Sequence, residues 1–113
     1  MHELSITQSI VNIAADAAAE HKVKQVHEIR IRIGEYSGIV PQCVQQYFDI
    51  LSKGTAAEGA VLKVEKIPIT MRCEACGAEN EIDKLKIRCP DCGSTQLKLL
   101  TGHEFYVESL EVD

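Results

Sequence analysis

The first third of the chain shows two different spacings of apolar residues. Over residues 4–21, apolar side chains recur every three or four positions, which predicts an amphipathic helix. Its expected buried stripe consists of Ile6, Ile10, Ile13, Ala14, Ala17 and Ala18. Over residues 26–34, apolar and charged residues alternate instead, and Ile29, Ile31 and Ile33 share one face. That alternation predicts a strand with one buried face.

A second helix and two more strands follow. Residues 41–54 favour a helix, because Pro41 suits its first position and Gly54 suits the left-handed residue after a helix. Its expected buried stripe is Val44, Tyr47, Phe48 and Leu51. Residues 60–67 alternate as a strand, and residues 103–112 do so with one change of parity that a β-bulge would explain. The predicted fold class is therefore α+β or α/β, with two helices on a small three-stranded mixed sheet.

Residues 71–93 interrupt this pattern, because they contain few large apolar side chains. A segment so poor in core residues needs another source of stability. It holds four of the five cysteines of the chain. We therefore predict a zinc-ribbon-like module at 71–93, inserted before the last strand into a domain formed by residues 1–70 plus 94–113.

Composition and charge narrow the class of protein. The chain has 113 residues and a net charge of -5, and 45% of its residues are hydrophobic. This is typical of one small globular domain, and the acidic balance argues against a nucleic-acid partner. No apolar run approaches the roughly 20 residues that span a membrane. The start "MHELSITQSI" lacks the features of a secretory signal, so we expect a cytoplasmic protein that does not contact a membrane.

The cysteines of the module form two matching motifs. Cys73-Glu-Ala-Cys76-Gly and Cys89-Pro-Asp-Cys92-Gly are separated by twelve residues. Each motif predicts a tight knuckle, and two knuckles offer four thiolates at the corners of a tetrahedron, the usual arrangement for zinc. Such a closed shell leaves no position open for catalysis, so we expect the zinc to be structural. The fifth cysteine, Cys43, is expected to be a small buried thiol on the second helix.

Other uses of these four cysteines are less compatible with the sequence. Rubredoxins hold iron on similar knuckles but surround it with aromatic side chains, and residues 71–93 contain none. A redox-active Cys-x-x-Cys normally lies at the start of a helix, whereas turns flank both pairs here. The module also has five acidic and four basic residues and no aromatic ring to stack a base, which again argues against nucleic-acid binding.

The beginning of the chain offers a second, different set of ligands. A histidine at position 2 is usually just solvated. Here, however, the Met1 amine, the His2 backbone nitrogen and the His2 Nδ1 could close a five-membered and a six-membered chelate ring around one metal ion. Nitrogen ligands held in this way suit a square-planar ion such as Ni(II) or Cu(II). Glu3 could add its amide or its carboxylate.

Several segments together resemble one protein family. These are "MHELSI", "RIGEYSGI", "GTAAEGAVL" and the two Cys-x-x-Cys-Gly knuckles, in this order along the whole chain. They are similar to the HypA/HybF family, the nickel metallochaperones of [NiFe]-hydrogenase maturation. The resemblance implies Ni(II) bound weakly at the Met1-His2-Glu3 terminus, with His2 as the principal side-chain ligand. It also implies structural Zn(II) on Cys73, Cys76, Cys89 and Cys92.

The resemblance further implies partners and a mode of action. A maturation GTPase and the large-subunit precursor of a [NiFe]-hydrogenase would be the partners, and some members also serve urease. The chain has no evident nucleophile–base pair and no Walker motif, so we expect capture and transfer of nickel and no catalysis. The fourth nickel ligand stays open among Glu3, His103, water and a group of the receiving protein. Exchange of the last strand would give a homodimer, which the sequence does not rank against a monomer.

Two other classes of function remain as alternatives. One is a zinc-ribbon adaptor that binds only protein and whose His2 is inert. The other is a rubredoxin-like electron carrier, which would be red and redox-active.

Overall fold

The computed structural model describes residues 3–112 and contains two helices and six strands within that range. In chain order the elements are α1 (Glu3–Glu20), β1 (Val26–Gly34), α2 (Pro41–Leu51), β2 (Val61–Ile67), β3 (Thr70–Cys73), β4 (Glu79–Glu81), β5 (Leu97–Thr101) and β6 (Phe105–Val112). No helix among these residues is long and apolar enough to cross a membrane. The predicted class, two helices with a small three-stranded sheet and a zinc-ribbon-like segment, is confirmed.

Helix α1 buries a face that is shifted slightly from the predicted one. Its buried residues are Ile6, Thr7, Ile10, Val11, Ala14 and Ala18. At 3.6 residues per turn they cover an arc of about 140° that runs from Ile6 to Val11. Ile13 lies just beyond the Ile6 edge of that arc and is 47% exposed, so its predicted burial is wrong. Val11, which the spacing argument omitted, is buried in its place.

Helix α2 follows its predicted signals at both ends. Pro41 is its first residue, and Gly54 beyond its end has φ +79, the left-handed conformation that favours glycine. The regular helix stops at Leu51, three residues earlier than predicted. Val44 and Phe48 form its buried stripe, whereas Tyr47 is 38% exposed, contrary to prediction. Helix α2 packs against α1.

The first sheet has the strand order β2-β1-β6. Ile29, Ile31 and Ile33 of the central strand are all buried, which confirms the predicted alternation. On the opposite face Arg32 lies near two carboxylates, at 3.5 Å from Glu65 and 3.6 Å from Glu108. In β6 the alternation between more buried and exposed residues is interrupted at Glu108 and Ser109, which are both exposed. This is where the sequence pattern changes parity.

The second sheet was not predicted as such. Its order is β4-β3-β5, and β3 pairs antiparallel with both neighbours, so that Met71 lies opposite Asn80 and Leu99. A small core of Ile69, Met71 and Ile82 supports it, with Leu97 and Leu99 packed alongside. These apolar residues come from three separate stretches of sequence. No local spacing pattern therefore predicted that they form one core.

The chain divides into two compact units. One comprises the described residues up to Arg32, together with Ile39–Glu65 and the residues from Tyr106 onwards. The other comprises Ile33–Gly38 and Lys66–Phe105 and contains the four paired cysteines. The second unit is wider than residues 71–93. We retain 71–93 as the proposed metal-dependent module, inserted between residues 1–70 and 94–113.

Candidate metal centre

The sulfur atoms of Cys73, Cys76, Cys89 and Cys92 converge on one point. All four lie within 4.8 Å of one another. The Cys73 and Cys92 sulfurs are 3.5 Å apart, and those of Cys76 and Cys89 are 3.7 Å apart. A tetrahedral zinc site with Zn–S bonds of about 2.3 Å has sulfur–sulfur edges of about 3.8 Å. The two measured edges are close to that value and far longer than the roughly 2.05 Å of a disulfide, so the donor set and its spacing fit zinc.

The two knuckles have the same backbone structure. In each, the N–H of the first cysteine donates to a carbonyl five residues later, and the glycine N–H donates to the carbonyl of the first cysteine. The distances are 2.8 Å for Cys73 N to Ala78 O, 2.8 Å for Cys89 N to Ser94 O, 2.9 Å for Gly77 N to Cys73 O and 2.8 Å for Gly93 N to Cys89 O. Gly77 and Gly93 have φ +77 and +76, which explains the glycine after each motif.

Burial distinguishes the two cysteines of each knuckle. The first ones, Cys73 and Cys89, are 1% and 2% exposed, whereas Cys76 and Cys92 are exposed. Cys73 is the last residue of β3, so the sheet fixes the start of the first knuckle. One side of the sulfur cluster is therefore anchored in the fold and the other faces solvent, which gives a metal ion a route in and out.

One stabilising contact near the cluster was not foreseen. Asn80 of β4 donates from its side-chain Nδ2 to Oδ2 of Asp91, at 3.3 Å. Asp91 lies inside the second knuckle, between Cys89 and Cys92. The contact therefore ties this knuckle to the sheet that carries the first one. It depends on the pairing of β3 with β4, for which the sequence carried no signal.

The pKa values of three thiols, those of Cys73, Cys76 and Cys92, are shifted by hydrogen bonds from backbone N–H groups and by contacts among the thiols. The N–H of Cys76 lowers the pKa of Cys73 to about 6. The Ser94 N–H lowers the pKa of Cys92, but contacts with the other thiols and burial outweigh it and raise this pKa to about 12. For Cys76 the Ala78 N–H lowers the pKa, and a neighbouring thiol and burial again outweigh it, so that this pKa is raised. At neutral pH one thiolate is therefore ready for a cation, while two thiols must lose protons first.

We expect the affinity of this site for zinc to rise steeply with pH between about 6 and 8. Above the Cys73 pKa that thiol no longer needs to lose a proton, whereas Cys76 and Cys92 still do. At least two displaced protons give at least about a hundredfold gain in affinity per pH unit. Competition with a chromophoric chelator at several pH values measures this slope. A slope clearly below two protons per zinc would contradict the expectation that Cys76 and Cys92 are both protonated in the metal-free site.

The remaining predicted site residues are distributed elsewhere. Met1 and His2 lie outside the described residues, so their predicted chelate stays a prediction. Glu3 is the first residue of α1. Cys43 is half-buried on α2, not fully buried as expected, and His103 is exposed. Within residues 3–112 the four paired cysteines are the one group of three or more histidine, cysteine or acidic side chains that lie close enough together to hold a metal ion.

Comparisons with known proteins give a consistent result. The family model described as hydrogenase/urease nickel incorporation, metallochaperone, hypA matches residues 1–112. The Hydrogenase maturation factor HypA of Nostoc sp. is 45% identical over 113 residues, which cover this whole chain and 96% of that protein. The protein of the same name from Dehalococcoides mccartyi is 40% identical over 113 residues, or 95% of its length.

Two solved structures share the fold. The solution structure of the Ni metallochaperone HypA from Helicobacter pylori matches with a TM-score of 0.68 and 21% identity, over 99% of this chain and 97% of that one. A second solution structure, also of a HypA protein, matches with a TM-score of 0.73 and 21% identity, over 99% and 96% of the two chains. At this identity the two structures support the fold alone.

Proposed function

The chain belongs to the HypA family of hydrogenase and urease nickel-incorporation metallochaperones, and on that basis we propose that it captures Ni(II) at its N-terminus and delivers it for the maturation of a [NiFe]-hydrogenase. The observation that carries this proposal is the match of the family model to residues 1–112. It includes both the Met-His-Glu terminus and the cysteine knuckles. Urease is the alternative client, because the family description names both enzymes.

Nickel is the cargo, and its proposed donors lie at the very start of the chain. The Met1 amine, the His2 backbone nitrogen and the His2 Nδ1 form two fused chelate rings that suit a square-planar ion. Glu3 is a lesser candidate for a further ligand. Protons compete for these donors, since a free amine has a pKa of about 7.7–8.0 and an imidazole one of about 6.5. Such a site releases its ion readily to a stronger acceptor, as a carrier must.

Zinc is the proposed resident metal. The thiolates of Cys73, Cys76, Cys89 and Cys92 would hold it in a closed shell, so it would supply rigidity rather than chemistry. The sulfur spacing and the matched knuckles support this assignment. An ion bound there would join two loops whose own apolar core is small. It would also neutralise part of the negative charge that four thiolates bring together.

The proposed partners follow from the family. They are a maturation GTPase and the hydrogenase large-subunit precursor. The proposal includes no nucleic-acid partner and no membrane partner. GTP hydrolysis belongs to the GTPase, since this chain lacks a Walker motif. We propose that the chain acts in the cytoplasm and catalyses no reaction itself. A homodimer formed by exchange of the last strand is the proposed alternative to a monomer.

Cells that lack this protein are expected to accumulate hydrogenase large-subunit precursor without nickel. The large subunit, purified from such cells grown in limiting nickel, should contain less than about a tenth of the usual metal. The unaltered chain should restore the nickel content, as should Cys43→Ser, whereas His2→Ala should not. The measurement is the nickel content of the purified large subunit, determined by metal analysis. Normal nickel content in the deficient cells, with urease also unaffected, would contradict the proposal.

A further inference from the structure

Helix α2 begins without the groups that normally satisfy a helix N-terminus. The residue at its N-cap is Val40, with φ -96 and ψ 113, and its side chain makes no capping hydrogen bond. Most helices place Ser, Thr, Asp or Asn there, because a side-chain oxygen can accept from the free N–H groups of the first turn. The first turn of α2 also contains no acidic residue to balance the positive end of the helix.

Glu3 supplies the missing acceptor from a distant part of the sequence. Its carboxylate Oε2 accepts a hydrogen bond from the backbone N–H of Val40, at 3.2 Å, across 37 positions of sequence. The next residue, Pro41, has no N–H to satisfy. The contact therefore pairs the first free donor of α2 and brings a negative charge to the positive end of its dipole.

The backbone of Glu3 is fixed as well. The hydroxyl of Thr7, which is fully buried, donates to the carbonyl oxygen of Glu3 at 2.5 Å. A buried hydroxyl that lost this acceptor would be costly, so the first turn of α1 is held at that point. Glu3 is thus held through its carbonyl by its own helix and through its carboxylate by α2.

We propose that Glu3 is a positioning residue: its carboxylate caps α2 and fixes the place in the fold of the residue that directly follows Met1 and His2, the proposed nickel ligands. The statement about nickel rests on the proposed function, whereas the statement that Glu3 caps α2 does not. The hydrogen bond from the Val40 N–H holds Oε2 at the start of α2, and moving this atom toward a metal ion at the N-terminus would lengthen or break that bond. The nickel ligands therefore come from Met1, His2 and a donor other than this carboxylate oxygen.

Two substitutions separate a cap from a ligand. Glu3→Gln keeps a side-chain oxygen that can accept from Val40 but removes the carboxylate, and Glu3→Ala removes both. Asp16→Ala is the charge control, since it removes an exposed acid from the C-terminal part of α1, far from Val40 in sequence. Ile10→Val is the stability control, since it trims a fully buried side chain of the same helix. All variants keep the native start and carry zinc.

In Glu3→Ala, amide exchange at Val40 should accelerate about tenfold or more, and the melting temperature should fall by roughly 3–6 °C. Its nickel affinity should weaken severalfold while the absorption bands of the Ni(II) complex keep their positions, because the ligand atoms are unchanged. Glu3→Gln should keep the amide protection, the affinity and the spectrum. Ile10→Val should lower the melting temperature without changing nickel affinity.

Three outcomes would count against the proposal. Unchanged exchange at Val40 in Glu3→Ala would show that the carboxylate does not cap α2. A shifted Ni(II) spectrum with a tenfold or larger loss of affinity in Glu3→Gln would identify the carboxylate as a ligand. If Ile10→Val lost as much nickel affinity as Glu3→Ala, the effect of Glu3 on nickel binding would come only from its contribution to the stability of the protein. If the unaltered protein takes up no nickel through His2, the proposed function is contradicted, while exchange at Val40 still decides whether Glu3 is a cap.

Discussion

Replacing Cys73 by serine is expected to cost the protein its zinc and the fold of residues 71–93, while nickel uptake at the N-terminus persists. Cys73 is a buried ligand at the end of β3, and its sulfur has the lowered pKa of the cluster. A serine hydroxyl is shorter and does not ionise at neutral pH. The site would therefore lose its most available anionic donor and its anchor in the sheet at once.

The size of the effect follows from how small the local core is. Ile69, Met71 and Ile82 are the buried apolar residues that support the second sheet. Structural zinc contributes about 10–16 kcal/mol of apparent binding free energy in small modules of this type, most of it usable for folding. A core of three buried side chains does not replace a contribution of that order. We expect Cys73→Ser to show less than about a tenth of the zinc of the unaltered protein.

Metal analysis, far-ultraviolet circular dichroism and nickel titration together test this result. Cys43→Ser is the matched control, because Cys43 is a half-buried thiol on α2 that lies outside the sulfur cluster. It should retain zinc and fold. Full zinc occupancy in Cys73→Ser would show that three thiolates suffice. Loss of nickel uptake together with zinc would show that the two sites act as one cooperative unit, against our expectation.

Local spacing predicted well what depends on local geometry. The alternation of Ile29, Ile31 and Ile33 gave a buried strand face, and the Cys-x-x-Cys-Gly spacing located four sulfurs that do converge. The stripe of α1 was less accurate. Ile13 lies only about 20° beyond Ile6 around the helix, and a small shift of the packing face exposes it in favour of Val11.

What depends on long-range pairing could not be predicted. The core of the second sheet combines Ile69 and Met71 with Ile82 and the leucines of β5, and no window of the sequence contains them all. The bond from Val40 to Glu3 joins residues 37 positions apart. From sequence alone, Glu3 was a candidate metal ligand because it follows His2. The structure supplies a partner for its carboxylate, the Val40 N–H, and the proposed capping role rests on that contact.

Removing either of two groups at the start of the chain is expected to abolish nickel capture. His2→Ala deletes the imidazole of the proposed chelate. Adding Gly-Ser before Met1 leaves every side chain in place but converts the amine into a peptide nitrogen. Each change breaks one of the two fused rings, so each should weaken Ni(II) binding by about two orders of magnitude or more, which corresponds to about 2.7 kcal/mol.

The controls separate these ligands from their surroundings. His21→Ala removes an exposed histidine just after the C-terminal end of α1, and Gly-Ser added after Asp113 reproduces the extension at the other terminus. Both should bind one Ni(II) per chain beyond the zinc, with unchanged affinity. Uptake by the unaltered protein should also decline as the pH falls through about 8 to 6, because protons then occupy the amine and the imidazole. If His2→Ala and the N-terminal extension both keep full affinity, nickel binds at other residues. If only the extension does, the imidazole is a ligand without the amine, and the square-planar chelate is wrong.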